Sequence, residues 1–440
     1  DVYKRQTRYR TTSEVVLKAS TILIVACFSL VAAASNTVVL GLGAITGSNW
    51  SVQGVDVELQ TPTTQVTQLV ATAEKLVLPA PLVTLHKVSV TCDEATIEAN
   101  LWLCNAAVLS SVSPRVLIEG RASFDTLSRE IGFEGRGGDI GSMRVTLNVR
   151  ASPESGRIRL KVAPLSVSAM LSEVAPSLSL PVSVEGGSVS AELDARWGSR
   201  GLTGNASLEL QQLSFADETG FSAAEGLETV IQAKFSHNPS ESFVELEVDL
   251  TGGALGFDDL YVEVAEQPLE LRASAGINRQ TQSLRVSDIS FDHPGVVNVT
   301  GAFTMDLITR ELDSLDIKLP NTQAQALYST YLQNLAWETG FADLEVAGEV
   351  SFEAEWTRAG RSRAVANLDD IYFEDREGRY SIYGLDADLH WADSGAVETS
   401  SLRWEGGAIY RIDLGRARIT GEILGDSFGL SEPAQIEVLD

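Results

Sequence analysis

The sequence predicts a mainly β protein, with an N-terminal transmembrane helix ahead of a long body of antiparallel strands that is built from repeats and interrupted by short amphipathic helices. Three observations predict it. Apolar and polar residues alternate with a period of two through most of the chain after residue 43, a single uncharged apolar run precedes that body, and two blocks of the body recur at long spacing.

Composition narrows the function classes. The 440 residues hold 33 Lys and Arg against 60 Asp and Glu, a formal charge of −27. This argues strongly against a nucleic-acid partner, because phosphate binding requires a basic face. At 44% hydrophobic residues the chain is too apolar to be disordered. Three cysteines rule out a disulfide-rich scaffold or a cysteine zinc array. The four histidines, His86, His237, His293 and His390, are scattered, and no cofactor or metal is expected.

The first element is the apolar run. Residues 19–55 contain no charge, and Ala19–Ala34 is almost wholly apolar; continuing to Leu42 gives a span long enough to cross a bilayer core with some tilt. Lys4, Arg5, Arg8, Arg10 and Lys18 outweigh Asp1 and Glu14 before it, which places the N-terminus in the cytoplasm and the acidic body outside. Asp1-Val2-Tyr3-Lys4-Arg5-Gln6 resembles the translated end of a sequencing adapter; without it, Arg8, Arg10 and Lys18 still oppose Glu14. Cleavage of a signal peptide near Ala32-Ala33-Ala34 competes with a retained anchor, and Ile24-Val25-Ala26-Cys27 loosely resembles a lipoprotein box.

Strands follow. Cys92 and Cys104 sit in two alternating runs that read as neighbouring strands, and in an oxidising compartment they are expected to form a cross-strand disulfide contributing ~3 kcal/mol; the alternative is two buried thiols. Val145, Leu147 and Val149 alternate with polar residues, as do Ile158, Leu160 and Val162, with Pro153–Gly156 as the turn between them. Val244, Leu246, Val248 and Leu250 repeat the pattern, as do Leu269-Leu271-Ala273 and Leu315-Ile317-Leu319. Two segments read as helix: Ser166–Val174, and Thr322–Glu338 with Leu327, Tyr331 and Leu335 on one face. Each precedes a strand sharing G-x-V-S-x-E, at Gly187 and Gly348.

The repeat aligns residues 210–233 with 368–391 without a gap. Leu210/Leu368, Phe215/Phe373, Asp217/Asp375, Gly220/Gly378, Gly226/Gly384 and Leu227/Leu385 are identical, and Gly252–Leu260 then meets Gly406–Leu414. Asp217 with Gly220, and Asp375 with Gly378, are read as turns. The expected order is a basic cytoplasmic N-terminus (1–18, of which 1–6 is the adapter-like stretch), the anchor (19–42), an N-terminal periplasmic β segment (43–163), a first β repeat (164–321) and a second, truncated repeat (322–440).

No catalytic constellation emerges. Gly41–Gly47 lies outside any βαβ unit and reads as the exit of the membrane helix; Gly135-Arg136-Gly137-Gly138-Asp139 has the wrong spacing for a phosphate loop and reads as a turn. Asp292-His293-Pro294 reads as a strand-ending turn, the tryptophans as packing residues, and Asp369-Asp370 with Glu374-Asp375 as a solvated outer face.

The single anchor, the acidic period-two body, the Gly-Gly-Ala-[Leu/Ile]-x-x-x-Asp-Leu strand openings and the L-x-x-[LI]-x-F-x-D blocks together resemble the AsmA-like superfamily of Gram-negative bacteria, most of all its YdbH branch, alongside TamB and YhdP. The resemblance is diffuse over the whole chain, and full-length members are longer. It implies an inner-membrane protein whose strands form a long, open, antiparallel β-groove across the periplasm, carrying phospholipid acyl chains toward the outer membrane. Membrane phospholipids would be the cargo, and an outer-membrane partner would lie beyond the truncated C-terminus. The ten alternating residues Val145 to Val162 and Val244 to Leu250 are then the groove candidates. The competing expectation is an anchored structural β-protein with a closed core.

Overall fold

The computed structural model describes residues 37–439 apart from 48–49, 61–66, 79–83, 175–181, 220, 259, 265–266, 337–340, 359, 361, 396–397, 411 and 434. The described residues form one sheet of 26 strands. The first nine are β1 (Thr37–Gly47), β2 (Trp50–Gln60), β3 (Thr67–Val77), β4 (Leu85–Glu98), β5 (Leu101–Ser111), β6 (Val116–Asp125), β7 (Glu130–Ile140), β8 (Met143–Ala151) and β9 (Ser155–Ser166). After the helix α1 (Val167–Val174) come β10 (Val182–Gly198), β11 (Gly201–Asp217), β12 (Ser222–His237), β13 (Glu241–Phe257), β14 (Leu260–Glu263), β15 (Leu269–Asn278), β16 (Ser283–His293), β17 (Val297–Asp306) and β18 (Leu312–Gln323). A second helix, α2 (Ala324–Leu327), runs on as a π-helical turn, Tyr328–Leu332. The last strands are β19 (Leu344–Thr357), β20 (Arg363–Asp375), β21 (Tyr380–Ala392), β22 (Ser400–Trp404), β23 (Gly406–Ile409), β24 (Ile412–Leu424), β25 (Ser427–Leu430) and β26 (Gln435–Leu439).

The topology is a meander. Successive strands pair antiparallel, with β14 and β15 sharing the far edge of β13, and β22 and β23 sharing that of β21. Short turns make this the natural outcome, since a two- to four-residue connection can only return the chain alongside itself.

Register carries the alternation from strand to strand. Ala95, Cys104, Ala122, Phe133, Val149, Ile158, Ala195, Gly204, Phe235, Val244, Ala275, Val286, Phe303, Leu315 and Trp356 are consecutive cross-strand partners. No polar side chain interrupts this file from β4 to β19. The opposite face is charged: Arg157 and Arg159 pair with Asp194, Lys161 with Glu192, Lys234 with Glu245 and Arg272 with Glu247. Such exposed pairs contribute under about 1 kcal/mol each, so they fix which face is wet more than they hold the sheet.

Strands this long do not stay flat, and the chain bends them with β-bulges. Pairing of β11 with β12 slips between Leu210 and Leu213, where Gln212 has φ +53°. Pairing of β20 with β21 slips between Leu368 and Ile371, where Asp370 has φ +47°. One extra residue would flip the alternation, so apolar spacing changes from two to three at that point, and Leu213-x-Phe215 stays on the face of Leu208 and Leu210. The L-x-x-[LI]-x-F block is the signature of a bulge. Gly187 (φ +110°) and Gly348 (φ +103°) lie against these bulges from the preceding strand, and Gly226 (φ +59°) and Gly384 (φ +60°) follow them. The turns after them match too: Asp217 accepts backbone N–H bonds from Thr219, Phe221 and Ser222, and Asp375 from Arg379, while Gly378 (φ +67°) donates to the Asp375 carbonyl. Gly220 lies outside the described residues.

Several expectations are corrected. Thr37–Leu42, read as the end of the anchor, is strand, paired from Thr37↔Gln60 to Leu42↔Val55; residues 19–36 lie outside the described residues. Gly41–Gly47 is likewise strand rather than helix exit. Among the described residues no helix is long and apolar enough to cross a membrane. Gly135–Asp139 is not a turn but part of β7, its extra residue absorbed as a bulge at Gly137 (φ +80°). The second helix starts later than Thr322, which pairs with Val350, and the Gln333 N–H reaches back to the Tyr328 carbonyl, a wide turn that leaves Leu335 exposed.

Asp375 is the remaining correction. It is 1% exposed rather than part of a solvated face, because its carboxylate is folded into the turn and gripped by the Arg379 guanidinium. Those hydrogen bonds hold it at about 2, against the opposing effect of burial. A carboxyl lowered in the folded state contributes stability above its unfolded value near 3.8, and that contribution is lost as pH falls toward 2. Asp375→Asn is therefore expected to be less stable at pH 7 and to lose less stability than wild type between pH 4 and pH 2. Urea midpoints measured across that range check it, and parallel curves for the two proteins would contradict it.

Candidate functional site

The candidate site is the apolar face itself. Each strand contributes alternate side chains to it, and the ten sequence candidates all lie there: Val145↔Val162, Leu147↔Leu160 and Val149↔Ile158 are direct partners, and Leu160, Leu193, Ala206, Ala233, Leu246 continue the row to β13. The structure divides them by exposure. Val145, Leu147, Ile158 and Val162 are buried in a cluster with Ile118, Phe133, Trp197 and Leu202, and Val145 is only 1% exposed. Val149, Leu160, Val244, Leu246, Val248 and Leu250 are half-buried.

Around β4–β11 the face is therefore well packed; from β12 onward it opens in places, although Val286 of the file is buried and Ile371, Leu385, Trp404 and Ala417 form a further buried cluster. Leu271 and Ile277 are exposed there, and Trp356 is 36% exposed at the end of the file. At the other end, Ile97, Phe124 and Ile131 occupy one row with Trp102 and are all exposed, Ile131 by 50%. Among the described residues no second sheet covers this face. A cavity of about 290 Å³ lies on it, lined by Leu160, Val162, Ala191, Leu193, Ala206, Leu208, Ile231 and Ala233. At about 4.8 Å per strand, the file from Ala95 to Trp356 extends on the order of 65 Å, roughly twice the hydrocarbon thickness of a bilayer.

The helical segments close one side. Tyr331 packs edge-on against Phe291 and His293, its hydroxyl 2.8 Å from His293 Nδ1, beside Val262, Val264 and Leu269. Burial pushes Tyr331 up to about 12 and lowers His293, favouring the neutral form of each. His293 does end its strand.

The disulfide joins Cys92 and Cys104 diagonally between β4 and β5, where Cys92 faces Ala107 and Ala95 faces Cys104 in one unbroken register. Asp194 and Lys161 belong to a broad concavity of about 880 Å³ on the polar face, also lined by Glu192, Lys234, Glu247 and Arg272, where acids and bases neutralise one another in cross-strand pairs. Among the described residues no group of three or more His, Cys, Asp or Glu is placed to hold a metal.

Phe235, Ala275, Val286, Phe303 and Trp356 belong to the site and were not among the sequence candidates. Their strands alternate, but the file is defined by pairing register, which bulges shift by amounts that no single strand reveals. Compared with known proteins, the chain matches no family model, no curated protein and no solved structure.

Proposed function

We propose that this protein carries phospholipid across the periplasm, laying acyl chains on the open apolar face of its sheet while its N-terminal apolar segment holds it in the inner membrane. The observation that carries the reading is the uninterrupted file from Ala95 to Trp356, half-open beyond β12. An exposed apolar surface this long is unstable in water unless something covers it. An acyl chain gains ~0.8 kcal/mol per buried CH₂ on such a surface, and a file of similar side chains gives similar affinity at each step, so lipid can advance without any residue reacting. The disulfide supports an oxidising compartment, and the sequence resemblance to the AsmA-like superfamily points the same way.

The packed cluster around Ile118, Val145 and Trp197 favours a second reading, a structural β-protein with an ordinary core. Photo-crosslinking separates the two. A photoreactive residue at Val244, Leu246 or Val248 is expected to give phospholipid adducts in cells, and one at Glu245 or Glu247, on the opposite face, is not. Adducts from neither face, or equally from both, would overturn lipid carriage.

A further inference from the structure

The two rims of the sheet differ. The hairpin ends at 198–201, 237–241, 278–283 and 306–312 lie side by side along one rim: the Arg279 N–H donates to the Ser240 carbonyl, and the Leu307 N–H to that of Gln282. Arg200, Arg279 and Arg310 project from these turns and are exposed. Arg200 and Arg310 have no side-chain partner among the described residues, and Arg279 touches only the His237 ring and the Ser242 hydroxyl. The acids on this rim are mostly engaged: Asp306 caps its own turn through the Ile308 and Thr309 amides, Glu311 and Asp313 pair with Arg358, and Glu241 and, in the adjoining turn, Glu154 have no side-chain partner among the described residues.

The opposite rim of the same strands carries Asp217, Glu218, Asp258, Glu263 and Asp292, and Tyr331 with its helical segment lies across it. That side is both negative and covered. In a chain of −27, exposed arginines on three of these four turns, Arg279 and Arg310 beside the open part of the apolar face, are an unusual placement.

We infer that the rim of Arg200, Arg279 and Arg310 is the side along which the phosphate headgroups of bound phospholipids travel, their acyl chains lying inward on the apolar file. This rests on the lipid reading above and deepens it. A phosphodiester meets guanidinium donors on this rim and carboxylates on the other. Trp356, exposed on the apolar face toward the same rim, suits the boundary between tail and headgroup, where amphipathic rings are favoured.

The test uses the purified full chain and two probes with the same fluorescent acyl chain, phosphatidylglycerol and uncharged diacylglycerol. The charge-reversed variant R200E/R279E/R310E is expected to bind phosphatidylglycerol about tenfold more weakly, because each exposed ion pair contributes little, and diacylglycerol unchanged. The lysine variant R200K/R279K/R310K should stay within about threefold of wild type for both. Unchanged phosphatidylglycerol binding in the charge-reversed variant would overturn the rim assignment and leave lipid carriage standing. Equal loss of both probes, with the wild-type circular dichroism retained, would overturn it as well. Wild-type protein that binds neither probe would overturn lipid carriage and the assignment with it.

Discussion

Alanine at Gly348 is expected to cost about 3 kcal/mol, and alanine at Gly187 a similar amount. Gly348 has φ +103°, and a Cβ there would sit 2.6 Å from the Asp370 carbonyl oxygen and 2.8 Å from the Ile371 Cα. At Gly187, φ is +110° and the Leu213 Cα is 2.7 Å away. Both obstacles are backbone, so no rotamer change relieves them. A side chain at such a φ costs roughly 1–3 kcal/mol and the overlap adds a comparable amount, relieved in part by opening the bulge. Gly360 is the control: its φ is +79° but no atom lies within 4 Å of the added Cβ, so only the conformational part is paid. Because backbone pairing runs mainly between adjacent strands along the sheet, unfolding need not be all-or-none, and amide hydrogen exchange on β10–β12 and β19–β21 is the appropriate measurement. Protection should fall most in the unit that carries the mutation. Equal losses for Gly348→Ala and Gly360→Ala would show that the close approach is not what the glycine is for.

Aspartate at Leu246 is expected to remove lipid from the trough and leave the fold in place. Leu246 is half-buried between Ala233 and Ala273, so a carboxylate there can still reach water and the sheet tolerates it. An acyl chain crossing that position would have to lie against the charge, at a cost of about 3 kcal/mol, or on the order of a hundredfold in occupancy. Phospholipid recovered with the purified protein should fall accordingly, with far-ultraviolet circular dichroism unchanged. Glu245→Leu, one residue along and on the wet face, should leave the lipid content as it was. Retained lipid in Leu246→Asp would place the cargo elsewhere.

Much of the fold was legible because period-two alternation is a local property. Val145-Leu147-Val149, Ile158-Leu160-Val162 and Val244 to Leu250 announce their strands, and the turn at Pro153–Gly156 announces a hairpin. What was not legible depends on partners. Thr37–Leu42 is as apolar as the run before it, and only its pairing with Val55–Gln60 makes it strand. Gly135–Asp139 is rich in turn residues, yet the same glycines serve a bulge inside β7. Asp375 resembles its acidic neighbours in sequence; Arg379, four residues on, is what draws it inside. For the candidate site, the alternation names the apolar face but not its openness. Val145 and Leu246 have the same local pattern, and one is sealed under Ile118 and Trp197 while the other is half-open.

The meander, in which every strand is added beside the last, makes the protein a ruler graduated in hairpins. Copying the segment from β11 to the equivalent β20 advances the sheet by eight strand spacings, about 40 Å, and alters nothing in the strands already laid down. Reach therefore scales with copy number, whereas the cross-section stays fixed by the bulges and glycines that every copy brings with it. A lineage could lengthen or shorten the sheet by gaining or losing whole units, with no redesign of its apolar face.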